Sequence, residues 1–352
     1  MKKIAIYSNV CSPEDGGGIL YILSIASVLA QNNNVEIFWP VKIAPQKITE
    51  LLPVSLTNVE MKTTNGHSGS SLLQEIKDVL SNTRSDMVVI QSTQVPRLRK
   101  LRNAFLICEF PFQPKPRISE RGRLAAFTSI IANSRYTAGW IRNRWGASAE
   151  VLSPPVFLVE PLEKQPWILG VGRFIGGIRS KRQIEIINMF KELVDAGLEG
   201  WQLHLAGTIH DRNYADQAVE SAQGLPVYFH FDIPRAELEA LYGKSSIFWH
   251  AVGAGVDPQK NPDRMEHFGI ATAEAMSAGC VPVVINRGGQ PEIVDRNSGV
   301  LWDSYGECFE ATLGLIRDDA RRQRLSTNAI EAANRFSFPV FAERVREIFE
   351  AR

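Results

Sequence analysis

Short apolar runs alternate along most of the chain with longer stretches whose apolar residues recur every three to four positions. Runs of the first kind, bounded by turn residues, predict buried strands at Lys3–Asn9, Val35–Trp39, Thr57–Lys62, Asp86–Gln91, Ala104–Phe110 and Ser129–Asn133. Stretches of the second kind predict helices at Ile19–Ala30, Ser71–Ser81, Gly122–Phe127 and Tyr136–Trp145. Val151–Pro166 breaks the pattern with Pro154, Pro155, Pro161 and Pro166 and reads as a linker. The alternation then restarts. Strands are expected at Trp167–Val171, Trp201–Ala206, Val227–Phe231, Ile247–Ala251, Val281–Ile285 and Gly299–Trp302. Helices are expected at Gln183–Ala196, Tyr214–Gln223, Arg235–Tyr242, Ile270–Ala278 and Pro291–Asp295. Tyr305-Gly306 reads as the last turn, followed by helical spacing over Glu307–Asn334 and an amphipathic helix over Phe338–Arg352.

Strands alternating with helices imply parallel sheets covered on both faces, so the fold class is α/β with two doubly wound, Rossmann-like domains. The expected boundaries are 1–153 for the first domain, 154–166 for the linker and 167–335 for the second domain. Residues 336–352 are expected to return as a helix towards the first domain.

Composition narrows the function classes. The chain has 352 residues, a formal net charge of +1 and 22% charged residues, so bulk charge favours no nucleic-acid partner. No run approaches the ~18 apolar residues that span a bilayer. Cys11, Cys108, Cys280 and Cys308 are scattered without a Cys-x-x-Cys pair, which suggests reduced thiols, no zinc site and a cytoplasmic protein. Arg97, Arg99, Lys100 and Arg102 form a basic cluster. It reads first as a solvated face and second as a contact for an anionic acceptor or the inner membrane surface.

The candidate chemistry gathers around Glu266–Val284. Glu266 and Glu274 flank a Phe268-Gly269 pair, and a helix opens at Gly269. Its first N–H groups, on Gly269, Ile270 and Ala271, carry the positive end of the helix dipole and suit a phosphate. Carboxylates near a helix start also occur simply to complement that dipole. Two acceptors on either side of an anion site nevertheless fit a ligand with hydroxyls on both sides of a diphosphate, as in a nucleotide-sugar. Arg173 and Lys181, in and after a glycine-rich turn, could clamp the same dianion or stand as two surface cations. Gly16-Gly17-Gly18, between a strand and a helix, lets backbone approach a ligand or forms a flexible turn. No Asp-x-Asp triplet occurs, and no metal site is expected.

Glu266-x7-Glu274, Glu-Ala-Met-Ser-Ala-Gly, Val-Pro-Val-Val and Gly288-Gly289-Gln290-Pro291-Glu292-Ile293-Val294 together resemble glycosyltransferase family 4, retaining enzymes of the two-domain GT-B fold. The resemblance covers the second half well, including Gly170-Val171-Gly172-Arg173-Phe174 and Lys181, and the first half thinly. It implies a hexosyltransferase that moves a sugar from a GDP- or UDP-sugar to a hydroxyl of a glycan, lipid-linked or small-molecule acceptor, without metal or resident cofactor, at a cleft between the domains. It further implies that Arg173 and Lys181 neutralise the diphosphate, Glu274 holds the ribose, Glu266 holds the sugar, and backbone from Phe268 to Ala271 contacts sugar and phosphate. The Gly16–Gly18 loop would close over the donor, and the backbone near Phe231 and Asp232 would line the base pocket. Where many members carry a histidine, this chain has Glu109, which could bind the sugar or serve as a base. His204, His230 and His250 read as packing or wall residues, and His267 as a pocket, cap or packing residue. The rival readings are a nucleotide-sugar epimerase of the same architecture and a non-catalytic partner that binds nucleotide-sugar or glycan.

Overall fold

The structure is a computed structural model that describes residues 1–8, 16–39, 56–63, 85–96, 103–112 and 122–350. The expected helix Ser71–Ser81, the cluster Arg97–Arg102, His67 and Cys11 lie outside the described residues. The chain divides into two units, Met1–Pro155 with Phe338–Arg352, and Val156–Ser337.

In the first unit the strands are β1 (Lys3–Ser8), β2 (Asn34–Trp39), β3 (Val59–Thr63), β4 (Met87–Gln91), β5 (Ala104–Cys108), β6 (Ser129–Ala132) and β7 (Glu150–Val151). They form one parallel sheet in the order β3-β2-β1-β4-β5-β6-β7. β1 runs apolar because both its faces are covered, with Ile4, Ala5 and Ile6 fully buried. Helix α1 (Gly17–Leu29) follows β1, and α2 (Arg135–Trp145) follows β6. Ser134 starts α2 by accepting the Thr137 N–H at 3.0 Å, and Gly146 ends it in the left-handed conformation at φ 67°. The last helix, Phe338–Phe349, belongs to this unit. Phe341 meets Tyr21 of α1 with ring centroids 6.1 Å apart, and Phe349 meets Phe105 of β5 at 4.7 Å. Burial of such side chains contributes about 2 kcal/mol each before ordering costs.

The second unit contains β8 (Gln165–Val171), α3 (Gln183–Asp195), β9 (Gln202–Gly207), α4 (Arg212–Ser221), β10 (Val227–Phe231), α5 (Arg235–Lys244) and β11 (Ser245–His250). It continues with α6 (Ile270–Ser277), β12 (Val281–Ile285), α7 (Gln290–Ile293), β13 (Val300–Trp302), α8 (Tyr305–Arg317) and α9 (Asp319–Ala333). Its parallel sheet has the order β10-β9-β8-β11-β12-β13. Strand alternation sends Leu203 and Leu205 to the core under α3 and α4, while Leu169, Phe248 and Val284 face the core under α5 and α6.

Two readings of the C-terminal region are corrected. Tyr305-Gly306 is not a free turn but the first turn of α8, which Ser304 caps by accepting the Glu307 N–H at 3.3 Å. The helical spacing over Glu307–Asn334 is two helices, because the Asp318 carboxylate accepts the Arg321 N–H at 2.8 Å and restarts the ladder. Among the described residues, no helix is long and apolar enough to cross a membrane.

Candidate functional site

In both sheets the strand order reverses at one place: between β1 and β4 in the first unit, and between β8 and β11 in the second. Open α/β sheets bind ligands beyond the C-terminal ends of strands at such a switch point. In the second unit, β8 ends at Val171 and runs into Gly172 and Arg173, while β11 ends at His250. Of the predicted site residues, Arg173 therefore follows directly on one of the two strands that flank this switch point.

The glycines permit this arrangement by removing side chains from close backbone crossings. A Cβ on Gly207 would stand 2.1 Å from the Gly172 carbonyl oxygen, so the β8 and β9 ends could not otherwise pack this tightly. Gln183, at the start of α3, donates from Nε2 to the carbonyls of Gly172 and Arg173 at 2.9 and 3.1 Å and fixes that turn. Arg173 is half-buried, and its side chain has no hydrogen bond or ion pair among the described residues.

Lys181 lies two residues before α3 and donates from Nζ to Glu266 Oε2 at 2.6 Å. His250 Nε2 reaches the same oxygen at 3.3 Å. Burial alone would raise the Glu266 carboxyl, but the Lys181 charge and the His250 hydrogen bond outweigh it and hold the carboxyl well below the usual range. Main-chain contacts complete the cradle. Gly289 N–H donates to the Glu266 carbonyl at 2.8 Å, and a Cβ on Gly288 would lie 2.1 Å from that same oxygen. The Gly288-Gly289 pair is thus required by the approach of the Glu266–Phe268 backbone. Burial pushes the neighbouring His267 imidazole down to about 4, against the opposing pull of Glu266.

Helix α6 starts at Gly269, whose φ of 117° no L side chain adopts without strain. The first bonds of the helix run from the N–H groups of Thr272 and Ala273 to the Gly269 carbonyl, at 3.0 and 3.2 Å. The N–H groups of Gly269, Ile270 and Ala271 precede that ladder and form its positive end. Phe268 is buried in the core and meets Phe336 edge-on at 5.3 Å, so its side chain packs while its backbone leads into the helix. Glu274 is turned inward, 5% exposed, and accepts from Arg235 Nη1 at 2.6 Å. Arg235 is also held through Nε by Glu239 at 2.8 Å. The Phe231 ring packs against Phe174 at 4.8 Å, and Asp232 takes φ 52° with its N–H on the Gly207 carbonyl.

The first unit holds a smaller constellation around Glu109, just past the end of β5. Ser8 Oγ donates to Gln91 Oε1, and Gln91 Nε2 donates to Glu109 Oε1. A Cβ on Gly18 would lie 3.1 Å from both carboxylate oxygens of Glu109, so the carboxylate rests against the first turn of α1. Gly16 and Gly17 open that helix, with Gly16 at φ 58°. Burial, reinforced by the Glu109 charge, pushes the Tyr21 hydroxyl well up.

Sequence reasoning does not single out Arg235, Gln183 or Gln91, and it takes His250 for a packing or wall residue. A polar residue closing the apolar run Ile247-Phe248-Trp249 is the available signal for His250. The partners Arg235 and Gln183 carry no local signal, because only the fold brings them to Glu274 and the Gly172 turn.

Comparison with known proteins follows the same division. Residues 159–332 match the family described as glycosyl transferases group 1. A D-inositol 3-phosphate glycosyltransferase of Corynebacterium kroppenstedtii is 36% identical over 92 residues, 25% of this chain and 20% of the relative. A glycogen synthase of Desulfitobacterium hafniense is 24% identical over 197 residues, 49% of this chain and 40% of the relative. The chain thus spans well under half the length of these curated relatives. Among solved structures, a glycosyltransferase from Rickettsia africae superposes with a TM-score of 0.76 at 14% identity, covering 100% of this chain and 99% of that one. Anabaena Alr3699/HepE in complex with UDP-glucose gives 0.73 at 16% identity, with both chains covered in full. The fold is therefore GT-B, and residues 159–332 of this chain are similar to the glycosyl transferases group 1 family.

Proposed function

We propose that the protein is a retaining, metal-independent hexosyltransferase that takes its sugar from a nucleoside diphosphate sugar. In the reaction the anomeric C–O bond to the diphosphate breaks and its electron pair leaves with the diphosphate. C1 bonds to an acceptor oxygen, whose proton is lost. Negative charge grows on the diphosphate and positive charge on the sugar. Arg173, Lys181 and the N–H groups of Gly269, Ile270 and Ala271 would meet the first, each donor contributing about 3 kcal/mol if preorganised. Glu266 would hold the sugar hydroxyls and Glu274 the ribose, sharing the latter carboxylate with Arg235. Glu109 would take the acceptor proton or bind the sugar. The donor base is assigned to uracil or guanine and the acceptor to a glycan or lipid-linked glycan. Anabaena Alr3699/HepE forms a complex with UDP-glucose, and a similar α-1,2-mannosyltransferase of Xenopus tropicalis is named for GDP-Man; both support that donor class.

The observation that carries the reading is the meeting of Lys181 and Glu266, 85 residues apart in sequence, at 2.6 Å beside the switch point. The test is release of nucleoside diphosphate from UDP- and GDP-hexoses with a panel of glycan and lipid-linked acceptors. Turnover that collapses in Glu266→Gln and Lys181→Met supports the proposal. Interconversion of the donor sugar without acceptor would identify an epimerase instead, and binding without any conversion would identify a non-catalytic partner.

A further inference from the structure

His250 closes β11, one of the two strands flanking the switch point of the second sheet, and is 6% exposed. Its Nε2 lies 3.3 Å from Glu266 Oε2, and a carboxylate oxygen only accepts, so Nε2 carries the proton and donates. Its Nδ1 is buried and meets no hydrogen-bond partner among the described residues. An unmet buried nitrogen costs roughly the desolvation of that atom. An apolar side chain at this position, continuing the run Ile247-Phe248-Trp249, would avoid the cost. Among the described residues, the one hydrogen bond that the His250 side chain makes is to the carboxylate at the centre of the site.

That carboxylate needs anchoring. The other strand-to-helix connections of the sheet are shorter: 172–182 after β8, 208–211 after β9, 232–234 after β10, 286–289 after β12 and 303–304 after β13. After β11 the chain runs from 251 to 269 before α6 begins, with one 3-10 turn at Pro262–Arg264, and Glu266 stands near the far end of this stretch. Connections of that length are unusual inside a compact domain. His250 and Glu266 flank segment 251–265, so their hydrogen bond closes its base. Within the segment Met265 packs against Gly253, where a Cβ would meet Met265 Sδ at 2.7 Å. Lys181 is the other partner of Glu266, but it is a point charge on a flexible stem. In the proposed reaction its charge is also drawn to the diphosphate. A carboxylate that orients a sugar must hold its place to about 0.5 Å.

We infer that His250 is a positioning residue for the transferred sugar: it ties the Glu266 carboxylate to the rigid end of β11 and keeps it aligned when Lys181 turns to the diphosphate. The inference rests on the assignment of Glu266 to the sugar.

The test uses full-length protein and whichever of UDP-glucose, UDP-galactose and GDP-mannose the wild type cleaves fastest. It follows nucleoside diphosphate release, together with the Kd of the free nucleoside diphosphate by calorimetry. His250→Leu is expected to lower kcat about ten- to a hundredfold, the worth of one hydrogen bond to a charged group. The Kd of the free nucleoside diphosphate should stay within about twofold, because that ligand has no sugar for Glu266 to hold. His250→Gln, whose amide reaches as far as Nε2, should recover most of the lost kcat. His250→Asn, polar but one bond too short, should fall with His250→Leu. A His250→Leu variant with kcat within twofold of wild type overturns the inference, as does a Gln variant no better than the Leu and Asn variants. Glu266→Gln separates the two levels. If it is as active as wild type, the sugar assignment of Glu266 fails; if it is inactive while His250→Leu is fully active, only the role of His250 fails.

Discussion

The Lys181–Glu266 pair can be measured as a free energy. The two side chains are 24% and 20% exposed, with Nζ and Oε2 2.6 Å apart. Breaking a fully buried pair by removing one partner costs about 3–5 kcal/mol, whereas exposed pairs are worth about 0.2–1 kcal/mol. Partial exposure, and the second hydrogen bond from His250, place the coupling here between these limits at about 2 kcal/mol. The perturbation is a double-mutant cycle of Lys181→Met, Glu266→Gln and the double variant. Urea unfolding supplies the four stabilities, and in a unit of this size each kcal/mol also shifts Tm by about 2–4 °C. The pH dependence adds a stricter check. The folded-state carboxyl of Glu266 lies well below its ordinary value of 4.5. A depressed carboxyl contributes stability that is present above the unfolded value and lost as pH falls through the folded one. The coupling should therefore be flat from pH 8 to 5 and decline only on the acid side of the ordinary value. A coupling under about 0.5 kcal/mol at pH 7, or one that decays between pH 6 and 5, would refute the reasoning.

Three further outcomes are expected. Gly269→Ala places a Cβ at φ 117° and 2.5 Å from Gln290 Nε2, so urea unfolding should show a loss of about 2 kcal/mol or more, and nucleoside diphosphate binding should weaken with it. Arg235→Met leaves Glu274, 5% exposed, without its 2.6 Å partner and should cost about 2–3 kcal/mol; Arg235→Lys should cost less, and near-equal stabilities of the two variants would count against the pairing. His204 and His267 both fall from the ordinary 6.5 to about 4, each chiefly through burial. Below pH 6.5 the unfolded chain binds protons that the native imidazoles refuse, so stability should fall as pH drops from about 6.5 to 4, and His204→Gln should flatten part of that fall.

The two-unit α/β architecture is legible in the sequence because parallel strands buried on both faces announce themselves as unbroken apolar runs, such as Ile4-Ala5-Ile6 and Val281–Ile285. The opening of α6 at Gly269 is legible for a similar reason, since glycine marks the backbone conformation that this start requires. The break at Asp318 is not, because apolar spacing continues across it; only the side-chain bond to Arg321 N–H ends one ladder and begins the next. Partners are harder still. Glu274 reads as a ribose ligand from its place in a motif, yet the contact that the fold gives it is Arg235, 39 residues earlier on a different helix. Sequence spacing carries no trace of such a pairing, because it depends on β10 and β11 ending on the same edge of the sheet.

The pairing of each carboxylate with a cation constrains how the proposed reaction could be run. Glu266 faces Lys181 and Glu274 faces Arg235, both at 2.6 Å, while Arg173 has no such partner among the described residues. Unpaired charges on side chains this buried would be costly, so each carboxylate is met by a cation. When a nucleoside diphosphate sugar is bound, Lys181 and Arg173 can turn to the negative charges of its diphosphate while Glu266, engaged by the sugar, keeps another donor. His250 supplies that donor from a strand end that does not need to move. In the proposed reaction the site would therefore work by an exchange of partners rather than as a preformed cluster of free cations. On this view Arg173 is the first cation available to the diphosphate, and Lys181 the one released to it once the donor's own hydroxyls engage Glu266.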